Sequence, residues 1–238
     1  MDLKDKVAVV TGASRGLGGE IARLLAKEDC KLALVARNEE SLKKLALELG
    51  EGSKYYICDI TDDKAVKVTF QKIVKDFGRV DILVNGAGIW AEGKFEEHSL
   101  EGIRKLFEVN TLGAINCCYS VVPLMKEQRS GRILNVISVA GVETAGDMGP
   151  YSPYTATKYA LAGFSKSLEE ELRGTGIKVQ AIFPGGMNTE LFKTAGLNYK
   201  DNEDWMMDKR DVAKIVVYML SQPEDVVIDH LVVRKFNK

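Results

Sequence analysis

A tyrosine and a lysine four positions apart are the residues of this chain best suited to moving a proton. Tyr154 and Lys158 open a long segment with helical periodicity, in which residues at i and i+4 lie on one face. An ammonium close to a phenol favours the phenolate and lowers the pKa of the hydroxyl from about 10 toward neutrality. The pair could therefore serve as a general acid or base, although a Tyr-x-x-x-Lys sequence alone is more often ordinary surface.

Polar residues at the ends of predicted strands could supplement this pair. Ser138 follows an apolar strand predicted at 132–137, and Asn85 follows the strand predicted at 81–84. In parallel sheets ligands bind outside the carboxyl ends of the strands, so the Ser138 hydroxyl is placed to hydrogen-bond a substrate oxygen. Asn110 is a further candidate, because it interrupts an otherwise apolar helix face.

A glycine-rich turn directly follows the first predicted strand. The segment reads Thr-Gly-Ala-Ser-Arg-Gly-Leu-Gly over positions 11–18, and a helical pattern follows it. Gly12 permits the tight turn, Gly16 lets the backbone approach a phosphate, and Gly18 lets the helix pack closely on the strand. The N-terminus of the helix would then face the anion. Between a first strand and a helix, this spacing indicates a dinucleotide-binding turn.

The same residues also fit a second interpretation, the nucleophile elbow of an α/β-hydrolase. Ser14 would be the nucleophile of a Gly-x-Ser-x-Gly sequence in the strand-turn-helix setting that such enzymes use. A hydrolase also needs a histidine base after an acid, and the chain has only His98 and His230. His230 falls within the last predicted strand, and His98 comes directly before a helix cap. The nucleotide-binding interpretation is therefore preferred.

The composition argues against several other classes of protein. The chain has 238 residues, 33 Lys and Arg against 34 Asp and Glu, and a formal net charge of −1, whereas proteins that track nucleic acid or anionic membranes need clustered basic residues. No apolar run approaches the roughly 18 residues of a membrane-spanning helix, and acids stand where a signal peptide would be basic. The four cysteines lack metal-site spacing. We therefore expect a cytoplasmic protein with no metal, nucleic acid or membrane partner.

The elements that must position these residues alternate regularly along the chain. Short β-branched runs alternate with longer segments of 3.6-residue periodicity, which predicts βαβ units and a parallel sheet. No linker or repeat interrupts residues 1–238, so a single α/β domain is expected. Strands are predicted at 7–10, 31–36, 54–58, 81–84, 132–137, 178–183 and 226–233. Helices are predicted at 17–27, 39–49, 62–77, 100–126, 153–173 and 211–221, with Asn38, Thr61 and Ser99 as caps.

Taken together, the motifs resemble those of the classical short-chain dehydrogenases/reductases, and they occur in the order of that family along nearly the whole chain. They are the glycine turn of 11–18, Asn85-Gly-Ala-Gly88, Asn110, Ser138, Tyr154-x-x-x-Lys158 and Pro184-Gly-x-x-x-Thr189. The resemblance implies a single Rossmann domain with a doubly wound parallel sheet of seven strands, in the order 3-2-1-4-5-6-7. It also implies a nicotinamide cofactor and hydride transfer between that cofactor and a carbonyl compound or secondary alcohol.

The resemblance assigns roles to the catalytic candidates. Tyr154 would exchange a proton with the substrate oxygen, and Ser138 would stabilise that oxygen. Lys158 would lower the pKa of Tyr154 and hold the nicotinamide ribose, while Asn110 would keep a water that links Lys158 to solvent. Asp59, at the end of the third strand, would meet the adenine ring. The residues expected to contact the cofactor, besides Tyr154 and Lys158, are Gly12, Ser14, Arg15, Gly16, Leu17, Gly18, Arg37, Asp59, Ile60, Asn85, Gly86, Ala87, Gly88, Pro184, Gly185, Met187 and Thr189.

The spacing between the serine and the tyrosine departs from the family pattern. The family usually has fewer residues there, whereas fifteen separate Ser138 from Tyr154. Tyr151 would fit the usual interval better, but its i+4 residue is Thr155 rather than a lysine. We therefore assign the proton transfer to Tyr154 and interpret residues 142–151 as a longer pocket loop.

The end of the second strand predicts which nicotinamide cofactor is used. An NAD enzyme of this kind carries an acid there, to hold the ribose 2′-hydroxyl. This chain has Val35-Ala36-Arg37 instead, and Arg15 lies inside the glycine turn. Two guanidiniums suit a 2′-phosphate through charge-assisted contacts, although each alone is as consistent with simple solvent exposure. We therefore predict NADP(H) in preference to NAD(H).

Substrate specificity is expected to come from a lid at about 187–209, after the sixth strand. The nearest broad resemblance is to the 3-oxoacyl-[acyl-carrier-protein] reductases, in which Arg129 is similar to a basic position that receives the carrier. Acidic residues 169–171, and a tail without the glycine-rich ending of that group, weaken this match, and the tail is more similar to that of reductases of small hydroxy acids or other small carbonyl compounds, which are the alternative. The lining candidates are Trp90, Val139, Glu143, Met148 and Tyr151, with Phe192, Leu197, Trp205 and Met206 in an apolar part of the lid that could equally be ordinary packing.

Two further expectations concern assembly and turnover. In relatives the two long helices, here 100–126 and 153–173, pack into homodimers and homotetramers, so the resemblance implies such an assembly. A sensor that binds NADP without turnover is a remote alternative, because it would have no reason to keep the complete set of Asn, Ser, Tyr and Lys.

Overall fold

A seven-stranded parallel sheet forms the centre of the molecule, which is described here by a computed structural model over residues 2–143, 150–197, 199 and 203–236. The strands are β1 Val7–Thr11, β2 Lys31–Ala36, β3 Ser53–Ile57, β4 Ile82–Asn85, β5 Gly131–Val136, β6 Ile177–Pro184 and β7 His230–Val233. They lie in the order β3-β2-β1-β4-β5-β6-β7, all parallel, which confirms the predicted order. The switch in strand order falls between β1 and β4, where such sheets bind ligands.

Helices cover both faces of the sheet, as strands that are apolar on both faces require. They are α1 Gly16–Lys27, α2 Glu39–Leu49, α3 Asp63–Phe77, α4 Leu100–Phe107, α5 Gly113–Gln128, α6 Ser152–Glu171, α7 Glu190–Thr194 and α8 Lys209–Ser221. On one face α1, α2 and α8 bury Ile21, Leu42 and Val216 against the sheet. On the other face α3 and α5 bury Phe70 and Val121. Within the described part of the chain, no helix has both the length and the apolarity to cross a membrane.

Two predicted elements differ from the structure. The helix predicted at 100–126 contains a wide π turn, Glu108–Leu112, between α4 and α5. Hydrophobic periodicity did not reveal it, because the segments on either side remain helical. The strand predicted at 226–233 is paired only from its fifth residue onward. Before that point the Val226 carbonyl accepts a hydrogen bond from the Lys178 ammonium at 3.4 Å.

One predicted helix cap was also wrong. Asn38 and Ser99 accept backbone hydrogen bonds as caps of α2 and α4, as expected. The cap of α3, however, is Asp62, whose carboxylate accepts from two backbone amides of the first turn. Thr61 instead donates its hydroxyl to Asp59 Oδ1 at 2.8 Å. This contact orients Asp59 at the carboxyl edge of the sheet.

At the same edge, glycines let the backbones of β1, β4 and α1 approach one another. A Cβ atom added to Gly18 would lie 2.5 Å from the carbonyl oxygen of Gly12. One added to Gly12 would lie 2.8 Å from Ala87 Cα, and one added to Gly86 would lie 2.9 Å from the Thr11 carbonyl oxygen. Only glycine fits these positions without movement of the backbone.

Replacing Gly18 tests this close packing, with Gly163 of α6 as the matched control. Nothing lies within 4 Å of a Cβ added to Gly163, so Gly163→Ala should raise the free energy of unfolding by about 0.5–1 kcal/mol through helix propensity. Gly18→Ala should instead lower it by about 1–3 kcal/mol, because α1 must move away from β1. Urea unfolding of both variants measures the difference. Equal effects at the two positions would show that the packing at Gly18 is not tight.

Candidate active site

A cavity of about 790 Å³ opens at the carboxyl ends of the strands. It brings together most of the residues that the sequence singled out, from the glycine turn to the lid. The predicted residues that line it are Gly12, Ser14, Arg15, Gly16, Leu17, Gly18, Arg37, Asp59, Ile60, Gly86, Ala87, Gly88, Trp90, Ser138, Val139, Tyr151, Tyr154, Lys158, Pro184, Gly185, Met187, Thr189, Phe192 and Trp205.

The glycine turn forms one wall of this cavity as an open backbone surface. Gly12 and Gly16 have φ angles of +69° and +58°, which disfavour any residue with a side chain. The nearest atom to a Cβ on Gly16 would be 3.6 Å away. The Thr11 hydroxyl accepts hydrogen bonds from the backbone amides of Gly86 (3.1 Å) and Ala87 (3.3 Å), so the ends of β1 and β4 are held together. Because α1 begins at Gly16, its unpaired amides face the cavity.

An ion pair marks the end of the cavity beyond β2 and β3. Arg37 Nη1 lies 3.7 Å from Asp59 Oδ2, and both side chains are exposed to solvent. Burial raises the pKa of Asp59, but the hydrogen bonds from Thr61 and the charge of Arg37 lower it by more. Asn38 and Ser41 also line this end, and Asn38 Oδ1 accepts from the Ser41 backbone N–H at 2.8 Å. Asp59 therefore carries a negative charge beside Arg37.

At the other end of the cavity, Tyr154 and Lys158 are packed together on α6. The Lys158 Nζ atom lies 5.5 Å from the centre of the Tyr154 ring, and the two residues are only 4 % and 5 % exposed. Burial lowers the pKa of Lys158 to about 8. Burial also raises the pKa of the Tyr154 phenol, and a hydrogen bond with Ser138 only partly offsets this. Exclusion of water therefore has more effect on the phenol here than the nearby ammonium that the spacing suggested.

Ser138 reaches Tyr154 from the end of β5. Its hydroxyl accepts a hydrogen bond from the Ala140 amide at 3.2 Å, which begins a single helical turn. That turn packs directly on α6, because a Cβ added to Gly141 would lie 2.9 Å from the Lys158 carbonyl oxygen. The serine and the tyrosine are thus held by two elements in direct backbone contact.

Asn110 lies in the π turn and does not itself line the cavity. Its amide oxygen accepts from the Ile89 backbone N–H at 2.8 Å, and its amide nitrogen donates to the Ile89 carbonyl at 2.9 Å. The nitrogen also lies 3.3 Å from Thr157 Oγ1. A Cβ on Gly88 would meet Asn110 Oδ1 at 3.3 Å and Lys158 Nζ at 3.8 Å. Asn110 therefore holds in place the segment Gly88-Ile89, which follows β4 and lies between Asn110 and Lys158.

Two other candidates lie away from the cavity lining. Asn85 is buried, and its amide donates to Asn135 Oδ1 at 2.8 Å, so it ties β4 to β5 beneath the site. Glu143 forms an ion pair with Arg234, in the segment after β7. Met148 belongs to residues 144–149, outside the described part of the chain. Leu197 and Met206 of the expected lid do not line the cavity either.

Sequence reasoning missed Glu92 and Tyr199, which both line the cavity near Tyr154. The Tyr199 hydroxyl donates to Glu92 Oε2 at 2.8 Å. Burial and this carboxylate raise the pKa of Tyr199 to about 12. The two residues are 107 positions apart and belong to none of the motifs, so only the folded structure reveals the pair.

The pKa of Lys158 predicts how stability depends on pH. It falls from an ordinary 10.5 to about 8 on folding, so between these values the unfolded chain binds a proton that the folded protein has released. The free energy of unfolding should therefore rise with pH above about 8, by up to about 1.4 kcal/mol per pH unit, and this gain should be lost below pH 8. Urea unfolding of the wild type and Lys158→Met at about pH 7.5 and about pH 9.5 measures the effect. A difference between the two proteins that is the same at both pH values would contradict it.

Solved structures share this architecture over nearly the whole chain. An alcohol dehydrogenase from the archaeon Thermococcus sibiricus, complexed with 5-hydroxy-NADP, is 30 % identical with a TM-score of 0.88, and the match covers 98 % of this chain and 97 % of that one. A 3-ketoacyl-(acyl-carrier-protein) reductase from Brucella melitensis, complexed with NADH, is 27 % identical with a TM-score of 0.89, and 98 % of each chain is covered.

Comparison of sequences agrees with the structures. An uncharacterized oxidoreductase from Staphylococcus epidermidis is 34 % identical over 232 residues, which are 98 % of this chain and 98 % of that protein. The family model described as short chain dehydrogenase matches residues 6–200, which include the glycine turn, Ser138, Tyr154 and Lys158. The chain therefore belongs to the short-chain dehydrogenase family of oxidoreductases.

Proposed function

We propose that this protein is an NADP(H)-dependent oxidoreductase that interconverts a carbonyl compound and a secondary alcohol. One observation carries the proposal: the hydroxyls of Ser138 and Tyr154 and the ammonium of Lys158 meet in a buried corner of the cavity whose opposite wall is the glycine turn. A binding protein without turnover would not need a paired serine and tyrosine at that corner.

The residues of the cavity fit a nicotinamide dinucleotide. The glycine turn, which is open at Gly16, together with the N-terminus of α1, would hold its pyrophosphate. Asp59 and Ile60 would border the adenine, and Lys158 would hold the nicotinamide ribose. When bound, the nicotinamide supplies or accepts the hydride at the carbonyl carbon of the substrate.

The protein's own residues would handle the substrate oxygen and its proton. The Ser138 hydroxyl donates a hydrogen bond to that oxygen, and Tyr154 Oη gives it a proton in reduction or takes one in oxidation. Because burial keeps the phenol protonated at neutral pH, Tyr154 rests in the state that reduction requires. Lys158 stabilises the phenolate that remains, and Asn110 keeps the Ile89 segment in place beside it.

NADP(H) is the proposed cofactor because of Arg37 and Arg15. Both line the cavity, and no acid stands at the end of β2. Arg37 can still bind a 2′-phosphate, since its only ion pair among the described residues, with Asp59, is long at 3.7 Å. The Thermococcus enzyme, complexed with 5-hydroxy-NADP, supports the choice, whereas the Brucella reductase was complexed with NADH.

The proposed function covers two classes of substrate. Similarity to the Brucella reductase supports 3-oxoacyl groups on an acyl carrier, with small hydroxy acids or other small carbonyl compounds as the second candidate. Arg129, the basic position expected for a carrier, is exposed, but its neighbour Arg132 cannot extend that position. Arg132 is buried and donates to the carbonyls of Gln222 and Pro223, at 2.6 Å and 3.1 Å. It therefore anchors the end of α8 and is not available for docking.

We further propose that the protein works as a cytoplasmic homodimer or homotetramer with residues 187–209 as its substrate lid. α5 and α6 would form the assembly, and Tyr119 and Tyr159 on these helices are 83 % and 42 % exposed. Aromatic side chains so exposed on adjacent helices favour contact with another copy.

Exchange of each tyrosine for phenylalanine tests the assignment of the proton. Tyr154→Phe keeps the ring against Trp90, whose centre is 4.3 Å away, but it removes the only proton donor we assign. We expect kcat/KM to fall by about 10²–10⁴-fold. Tyr151→Phe, the control, should mainly change KM. Steady-state kinetics measures both, and the opposite pattern would assign the proton to Tyr151.

The cofactor preference is tested at Arg37. Arg37→Gln should lower kcat/KM for NADPH by about tenfold or more, through loss of a charge-assisted contact, and leave that for NADH nearly unchanged. Arg173→Gln is the matched control, because Arg173 is exposed and pairs only with Glu170 among the described residues. A wild-type enzyme that prefers NADH would refute the proposal before any variant is made.

A further inference from the structure

Tyr154 and five other aromatic rings line one corner of the cavity. We name this group the aromatic box: Trp90, Tyr151, Tyr154, Phe192, Tyr199 and Trp205, all of which line the cavity. The Trp90 ring centre lies 4.3 Å from that of Tyr154 and 4.9 Å from that of Tyr151. Half of the box comes from the segment after β4 and from the start of α6, and half from the proposed lid.

Phe192 joins the two halves. Its ring meets Trp90, Tyr199 and Trp205 edge to face, with centres 5.4 Å, 5.2 Å and 5.7 Å apart. Tyr199 and Trp205 meet each other in the same way at 5.5 Å. Gly186 makes room for the lid, because a Cβ atom there would run into the Trp205 ring. The rings of the lid half therefore meet edge to face, and Trp90 is tilted by 50° and 59° against Tyr151 and Tyr154, so the box offers both ring faces and ring edges to a further flat ring.

The charged residues at this end of the cavity also restrict which substrates can bind. Among the lining residues that the structure describes here, Lys158 is the only basic one, and it lies against Tyr154. The acid Glu92 faces the box and holds the Tyr199 hydroxyl. After β7, Arg234 pairs with Glu143 and Lys235 donates from Nζ to the Met206 carbonyl at 2.9 Å, and neither residue belongs to the lining. A carboxylate in the box would thus face a like charge and the negative faces of the rings, and among the described lining residues of this end only Lys158, beside Tyr154, could pair with it.

We infer that the substrate of the proposed reaction is an aryl-bearing carbonyl compound, or the corresponding alcohol, that is neutral or positively charged and carries no carboxylate. The inference rests on the proposed function for the reaction and on the aromatic box for the substrate class. It places the small hydroxy acids and other anionic substrates, and 3-oxoacyl groups without an aryl ring, outside the preference of this site. The aryl ring lies against the box, and the carbinol carbon lies beside Tyr154 and Ser138.

A matched series of alcohols tests the inference. 1-Phenylethanol, 2-amino-1-phenylethanol and mandelate share one phenyl carbinol and differ only in bearing a neutral, cationic or anionic group. 1-Cyclohexylethanol replaces the aromatic ring by an aliphatic one of similar size, and lactate keeps only the hydroxy acid. The chain has two tryptophans, Trp90 and Trp205, and both belong to the box, so intrinsic fluorescence reports binding there directly.

We expect the neutral and cationic phenyl carbinols to bind at least about tenfold more tightly than mandelate, and 1-phenylethanol more tightly than its cyclohexyl counterpart. Oxidation by NADP⁺ should follow the same order in kcat/KM. Preferred binding or oxidation of mandelate or lactate would overturn the inference, and so would equal binding of the phenyl and cyclohexyl alcohols.

Variants separate the charge from the rings. Glu92→Gln removes the charge and should reduce the discrimination against mandelate, whereas Tyr199→Phe removes only the hydrogen bond to Glu92 and should retain it. Trp205→Leu should abolish the preference for phenyl over cyclohexyl.

If the predicted fluorescence selectivity occurs without oxidation of any alcohol, the proposed function fails and the ligand class stands. If simple aliphatic ketones are reduced while aryl compounds do not bind, the ligand class fails and the proposed function stands.

Discussion

Three stretches of backbone meet at the carboxyl edge of the sheet at distances that only glycine allows. The start of α1 crosses the turn after β1 at Gly18, and that turn crosses the end of β4 at Gly12 and Gly86. With no side chains between them, the single hydroxyl of Thr11 can bond both amides of the β4 end. The glycine turn and the end of β4, which together border the cavity, therefore form one rigid unit. The other site residues are positioned relative to this unit.

Burial, more than charge, determines the resting state of the catalytic corner. On an exposed helix the Lys158 ammonium would stabilise a Tyr154 phenolate, as the i,i+4 spacing suggests. Inside the protein, loss of water raises the pKa of the phenol and lowers that of the ammonium. The proton therefore stays on the tyrosine, and the lysine is close to releasing its own. Such a corner is prepared to act on an uncharged ligand that completes the exclusion of water.

Features carried by local patterns could be predicted from the sequence, and features that depend on distant contacts could not. The alternation of strands and helices, the glycine turn and the Tyr154–Lys158 spacing each lie within a short segment, and the resemblance to a known family supplied the strand order. The contact of Tyr199 with Glu92 joins positions 107 apart and follows no period. The strand predicted from Val226 pairs with β6 only from His230, and the Val226 carbonyl bonds the distant Lys178 side chain instead. Glu143, which was expected to line the cavity, instead pairs with Arg234, a residue far away in the sequence.

The π turn Glu108–Leu112 separates two helices that would otherwise form one continuous rod. Its hydrogen bonds span one more residue than those of an α-helix, so the side chains after it are shifted in phase by about 100° around the axis relative to those before it. If α4 and α5 formed one unbroken α-helix, burying the apolar stripe of α5 on the sheet would rotate α4 about the helix axis. Asn110 would then point in another direction. The extra residue therefore lets α5 pack on the sheet while Asn110 keeps its orientation toward the site. Deleting a residue there would leave the helix intact and misalign one of its two halves.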